Sequence, residues 1–369
     1  MNKVNTIKNY WESYLKKTEF SWRRRRKINE VNNIINIWES YIKNRFDEDY
    51  LTMYIHFPYC LQKCSYCMYR THAVGKEDYV KEFLDTVEAQ FMIASQTFKN
   101  ESIKALYIGG GSPSLMSAND METLFDLISE YWNAEFSDDN MFNIELHSSQ
   151  ITDDKLKAIE NSFINRISIG IQSLDEDVLR ANKRIYITKN IIHENISKIL
   201  AFNKNLRLNV DLMYGLAGQS DESFISDVNE FVKMNVSSIT MYGYRNTPNN
   251  NNRRTISDDN TFMRNLINVM DKIRNQENYG FLGSSNGIYN EWNVLINKSM
   301  KKFKYEYDPV PRYFNNIVSF GPHLGHKSMF QSIRTLIEFN ENGTFIQEIP
   351  KEIIEYSERI NELDGAELK

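Results

Sequence analysis

The sequence predicts an α/β fold: six βα units in succession, building a parallel sheet with helical crossovers. Three observations lead there. From about residue 50 onward, short apolar runs interleave with longer stretches of helical period. The strand-like runs are Leu51–Phe57, Ile103–Ile108, Phe142–Leu146, Arg166–Ile171, Leu206–Met213 and Ser238–Tyr242. Helical stretches fall near 77–97, 118–133, 151–162, 187–203, 221–234 and 257–277. Finally, each run ends near a glycine, a polar side chain or a chelating one. That edge is where parallel sheets and barrels gather their functional groups. The units fall short of a closed (β/α)8 barrel, so an open partial barrel and a doubly wound sheet both fit.

The flanks read differently. Residues 1–48 are expected to form a basic helical N-terminal extension, 49–280 the core, and 281–369 a short α+β C-terminal extension. Trp11-Glu-Ser-Tyr14 recurs as Trp38-Glu-Ser-Tyr41, which predicts two related amphipathic helices flanking the run Arg23–Arg26. Residues 1–46 hold eleven Lys/Arg against four Glu, a net +7 on a chain whose overall charge is −5. Such an arm can dock on its own acidic body, on an acidic partner or on phosphates; a solvated helix face is the plainer expectation. The Asn-rich segment 245–256 reads as a loop with room for a lid role. Beyond 280 only Ile317–His323 looks like a strand ending in a turn, and the last twenty residues read as a surface helix and frayed tail.

With 41% apolar and 25% charged residues, the chain is an ordinary globular protein, long enough to bury a full core. It holds no apolar run of about 18 residues, so no membrane span is expected. The N-terminus lacks the apolar stretch of a signal peptide, so a cytoplasmic location is expected. The net charge gives no reason to expect nucleic acid. All three cysteines lie between residues 60 and 67. A disulfide framework would scatter an even number, whereas three clustered thiols point to a metal site in a reducing compartment.

Cys60-Leu-Gln-Lys-Cys64-Ser-Tyr-Cys67 follows the first strand. Three thiolates at this spacing can each bind one iron of a cubic cluster, leaving the fourth iron open to a small molecule. A structural zinc site would want a fourth ligand, which His56 or His72 could supply.

Tyr54-Ile-His-Phe-Pro-Tyr-Cys60 running into that array resembles the radical S-adenosylmethionine (SAM) superfamily, and within it the HemN/HemW branch of oxygen-independent coproporphyrinogen dehydrogenases and relatives. The likeness continues in order. Tyr107-Ile-Gly-Gly-Gly-Ser-Pro-Ser114 is similar to the branch's glycine turn. Arg166-Ile-Ser-Ile-Gly-Ile-Gln-Ser173 and Asp211-Leu-Met-Tyr-Gly-Leu-Ala-Gly-Gln219 are similar to two of its strands. The resemblance covers about residues 50–245, with a weaker echo at Phe320-Gly-Pro322. It implies a partial (β/α)6 TIM-like barrel and one [4Fe-4S] cluster held by Cys60, Cys64 and Cys67. SAM would chelate the open iron and be cleaved reductively to a 5′-deoxyadenosyl radical.

The resemblance also implies roles. Gly110, Gly111 and Ser112 would meet the methionine end of SAM, with Tyr54 nearby. Glu145 is suited to accept from a ribose hydroxyl or an ammonium. Gln172, Arg184 and Asp211, with Tyr66 and more loosely Arg245, match positions that help bind a second SAM. Retention of that set favours methyl or methylene transfer to a carbon of a biosynthetic substrate, small or bound to a carrier or peptide. The alternatives are a tetrapyrrole oxidase or decarboxylase and a HemW-like haem chaperone. A low-potential flavodoxin or ferredoxin would supply the electron. Departures put coproporphyrinogen in doubt: Met68-Tyr69-Arg70 follows the array where those enzymes carry a further Cys, Ser112 replaces Thr, and their C-terminal domain is not expected here.

Overall fold

The computed structural model describes residues 26–28, 50–67, 71–74, 79–98, 100–134, 136–184, 187–202, 205–244, 259–283, 292–300, 303, 317–321, 330–331, 335–340 and 343–348. In chain order these form β1 (Arg26–Ile28), β2 (Tyr50–Phe57), β3 (Tyr59–Cys60), β4 (His72–Ala73), α1 (Tyr79–Phe98), β5 (Ser102–Gly110), α2 (Ala118–Tyr131) and β6 (Met141–Leu146). There follow α3 (Asp153–Glu160), β7 (Arg166–Gln172), α4 (Glu176–Ala181), α5 (Lys189–Phe202), β8 (Arg207–Tyr214), α6 (Asp221–Lys233), β9 (Ser238–Gly243) and α7 (Asp259–Ile273). The remainder is β10 (Tyr279–Gly283), β11 (Trp292–Asn297), β12 (Ile317–Phe320), β13 (Phe330–Gln331), β14 (Thr335–Asn340) and β15 (Gly343–Glu348).

Strands β2, β5, β6, β7, β8 and β9 lie side by side, each parallel to the next. The expected βα succession is therefore present, and the sheet runs on past both ends instead of closing. On one side β12 adds parallel to β2 and leads antiparallel through β13 and β14 to β15 and β1. On the other side β11 and β10 form an antiparallel hairpin against β9.

Strand alternation separates two environments. Met53, Ile55, Leu106, Ile108, Ile144, Ile169 and Val210 point outward into a core closed by the helices. The residues between them face the lumen, and those on β6 to β9 are polar. Arg166 donates to Asn143 at 2.7 Å, Ser168 to Asp211 at 3.0 Å, and Asn209 to Ser168 at 2.8 Å; Thr240 donates to Asn209 at 2.9 Å. A parallel sheet covered on both faces reads as continuous hydrophobic sequence. These strands alternate because one face lines a polar lumen. Its floor is apolar: Tyr54, Ala105, Tyr107 and Met141 pack with Phe303, over whose ring Arg207 stacks at 3.6 Å.

Helix starts follow local chemistry. Ser117 and Asp120 form a reciprocal capping box on α2, while Asp175 caps α4 and Ser220 caps α6. At the far edge, Gly321 follows β12 with φ +116°, and a Cβ there would strike the His56 carbonyl. The buried Gln90 of α1 clamps it, accepting from Gly321 N at 2.7 Å and donating to Gly321 O at 3.4 Å. The strand expected at Ile317–His323 thus docks on the root of the cysteine loop.

One expectation changes. Arg26–Ile28, within the stretch read as helical, is a strand paired antiparallel with β15; sheet pairing supplied from far along the chain overrides the local helical period. Of the C-terminal extension, expected as α+β, the described elements are the end of β10 and strands β11 to β15. The paired Trp-Glu-Ser-Tyr segments, the Asn-rich loop after Tyr244 and the last twenty residues lie outside the described residues. Among the described residues no helix is long and apolar enough to cross a membrane.

Candidate functional site

The cysteine loop leaves β2 through Pro58 and is pinned at several points. Tyr59 and Cys60 pair with His72 and Ala73, and Val74 N donates to Cys60 O at 3.1 Å. Ser65 N donates to Asn182 O at 3.1 Å and Cys67 N to Cys64 O at 3.2 Å. Cys64 and Cys67 sit against Tyr66, Val178, Leu216, Tyr244 and Met213. Burial first, then Cys67 and Cys64, push the Cys60 thiol up to about 12, against the opposing pull of Ser112 and Arg184.

Cys64 and Cys67 thus lie near enough to Cys60 for their charges to oppose its ionisation. A crowded, desolvated set of this kind favours thiolates only once a cation neutralises them, which fits an iron cluster. Among the described residues no three His, Cys, Asp or Glu side chains stand together closely enough for a single metal ion. The side chain of His72 lies outside the described residues.

The glycine turn is shaped by this loop. Gly111 N donates to Phe57 O at 2.6 Å and Ser112 N to Tyr59 O at 2.7 Å. A Cβ on Gly111 would strike the Tyr59 carbonyl, and Gly110 adopts φ +111°, so only glycine permits this approach. Ser112 Oγ stands 3.9 Å from Cys60 Sγ. Gly110 N also donates to Glu145 Oε2 at 3.0 Å, and Tyr107 Oη donates to Glu145 Oε1 at 2.6 Å. Burial, then Glu145, hold the Tyr107 hydroxyl well above its ordinary value, so it remains a donor. Tyr54 Oη lies 2.9 Å from His56 Nδ1 beneath the turn.

On the opposite side of the rim, the β7–β8 register slips between Gly170 and Gln172, and Gln172 takes φ +75°. Its Oε1 is buried without a hydrogen-bond partner. Arg184 donates through Nη1 to Tyr66 Oη at 3.0 Å and to Cys64 Sγ at 3.5 Å, and through Nη2 to Gly170 O. Its Nε is buried without a partner. Asp211 accepts from Ser168 and from Asn209 at 2.7 Å, while burial raises its carboxyl above the ordinary value.

Tyr54, Tyr66, Gly110, Gly111, Ser112, Glu145, Gln172, Arg184 and Asp211 thus lie along the lumen and its rim, with Ser112, Tyr66 and Arg184 against the cysteines. Arg245 lies outside the described residues. Sequence reasoning missed Tyr107 and His147. Each sits two residues from a residue it did find, Gly109 and Glu145, so strand alternation alone could have raised both.

A family model described as the Radical SAM superfamily matches residues 54–231. The chain's partial barrel and three-cysteine loop resemble a radical SAM core, a class that works with a [4Fe-4S] cluster and SAM. The chain is 32% identical over 204 residues to the haem chaperone HemW of Escherichia coli (strain K12), covering 54% of this chain and 52% of that protein. It is 26% identical over 205 residues to the oxygen-independent coproporphyrinogen III oxidase of the same organism, covering 55% and 44%. The solved structure of coproporphyrinogen III oxidase (HemN) from Escherichia coli superposes with a TM-score of 0.67 at 17% identity, over 85% of this chain and 70% of that one. Over these residues the chain is similar to the HemN/HemW-like branch of the radical SAM superfamily. It spans about half the length of the first curated relatives it matches.

Proposed function

We propose that this chain is a HemW-like radical SAM protein that binds SAM at a [4Fe-4S] cluster and has a tetrapyrrole, haem, as its further ligand. One observation carries the reading. Over stretches of nearly equal length the chain is 32% identical to a haem chaperone and 26% identical to a coproporphyrinogen oxidase. The absence of a Cys at Tyr69 agrees with that order. Both relatives are named for tetrapyrroles, so this reading stands ahead of the methyl or methylene transfer expected from the sequence.

In this proposal Cys60, Cys64 and Cys67 would hold the cluster, and its iron without a protein ligand would be the one that SAM takes. When bound, the cluster and SAM supply one-electron cleavage of the sulfonium C–S bond. The turn at Gly110–Ser112 admits the methionyl end because no side chain intervenes. Glu145, fixed by Tyr107 and Gly110, keeps lone pairs for a hydroxyl or ammonium. The unpartnered Gln172 Oε1 and Arg184 Nε, with Tyr66, Asp211 and Arg245, would take polar groups of a second molecule, a second SAM among them. A flavodoxin or ferredoxin is the proposed electron donor.

The test is anaerobic. Reconstituted protein is titrated with haem, then incubated with SAM, dithionite and, separately, coproporphyrinogen. Stoichiometric haem binding without a modified product is expected. Release of carbon dioxide from coproporphyrinogen would overturn the chaperone reading in favour of the oxidase, and S-adenosylhomocysteine formation would restore methyl transfer.

A further inference from the structure

His147 follows β6, two residues beyond Glu145 and in extended backbone (φ −92°, ψ 130°), so its side chain continues the lumen-facing series Asn143, Glu145. Its backbone is tied to the glycine turn: His147 N donates to Ser114 Oγ at 2.9 Å, and Ser114 Oγ donates to Gln150 at 2.8 Å. The ring is oriented too. Nδ1 accepts from Ser149 N at 3.4 Å and lies 2.8 Å from Ser149 Oγ. A ring nitrogen that accepts a backbone N–H carries no proton, so in the neutral imidazole the proton sits on Nε2.

The neighbourhood decides what that N–H meets. The β6–β7 register pairs Leu146 with Ile169, which sets His147 beside Gly170, whose carbonyl receives Arg184. Burial, then the Arg184 cation, bring the imidazole down to about 3, so it stays neutral across the physiological range. The ring's hydrogen bonds to described residues are both made at Nδ1, and Arg184 Nε is buried without a partner. Two N–H donors, one on a cation, thus stand about the same stretch of β7, near enough for the Arg184 charge to act on the ring.

We propose that His147 is a ligand-contacting residue, donating from Nε2 to a carboxylate of the molecule that binds against Arg184. The inference rests on the reading above, in which the rim binds SAM and haem. Each brings a carboxylate: the methionyl group of SAM or a haem propionate. Capping of the short turn at Ser148–Gln150 explains Nδ1 but leaves Nε2 without a task.

The test uses reconstituted full-length protein with His147→Leu, which removes the donor at similar volume, and His147→Gln, which can restore an N–H. Affinities for SAM and for haem are measured anaerobically by equilibrium dialysis, with iron content as a check on cluster assembly. The expected result is a loss of roughly tenfold in affinity for one of the two probes in His147→Leu, recovered in good part by His147→Gln, at unchanged iron content. The probe that responds identifies the carboxylate. Unchanged affinities for both would overturn the proposal, as would equal loss in both variants. If the parent protein binds SAM but no haem, the haem reading fails and the SAM arm alone decides the role of His147.

Discussion

Asp227 on α6 is 5% exposed, and its Oδ2 accepts from Ser173 Oγ at 2.7 Å and from Leu174 N at 3.0 Å. It ties α6 to the turn that follows Gln172. Burial above all, with Asp175 adding, pushes its carboxyl up from 3.8 to about 6, although Ser173, Leu174 and Lys189 oppose this. The folded chain therefore keeps a proton that the unfolded chain has already released. The stability this group contributes is present in full below about pH 4 and is lost as pH rises through about 6. The displacement corresponds to on the order of 3 kcal/mol for an isolated group. Asp227→Asn is uncharged throughout and can offer Oδ1 where Oδ2 now accepts. The variant is expected to be more stable than the parent at about pH 7.5 by on the order of 1–3 kcal/mol, with the gap closing toward about pH 4. Urea unfolding of both proteins across that range, followed by tryptophan fluorescence, measures it. A variant less stable at neutral pH, or a gap that ignores pH, would refute the reasoning.

Gly111→Ala drives a Cβ into the Tyr59 carbonyl and to 2.8 Å from Phe57 O, so it is expected to displace the cysteine loop and lower iron content per chain. Full iron content in that variant would contradict the packing described. Tyr107→Phe removes a 2.6 Å bond to Glu145 and should weaken SAM binding about tenfold, as equilibrium dialysis would detect. Gln90→Leu strips both bonds from the buried Gly321 backbone and should cost about 1–3 kcal/mol in thermal unfolding, with unchanged melting as the contrary result.

The six core strands and their helices were legible because both periods are strong there. Leu51–Phe57 alternates visibly, and the helix at 221–234 carries its apolar stripe. The cysteines were legible through their spacing. The rim was legible because each strand ends on a different chemical group. Other features depend on distant pairing. Ile317–Phe320 finds β2 more than two hundred residues away, and Arg26–Ile28 finds β15, which no local period announces. The short helix Glu176–Ala181 escaped notice because six residues show too little of a helical period. The left-handed Gln172 was hidden because its conformation arises from the register slip with β8.

The central claim is that Cys60, Cys64 and Cys67 hold a cluster with one iron left for SAM. Electron paramagnetic resonance of the dithionite-reduced protein, with and without SAM, tests this most directly. The account predicts a reduced-cluster signal that changes shape when SAM is added, in a sample that then yields 5′-deoxyadenosine. A cluster signal indifferent to SAM, or no cluster signal in anaerobically reconstituted protein, would contradict it.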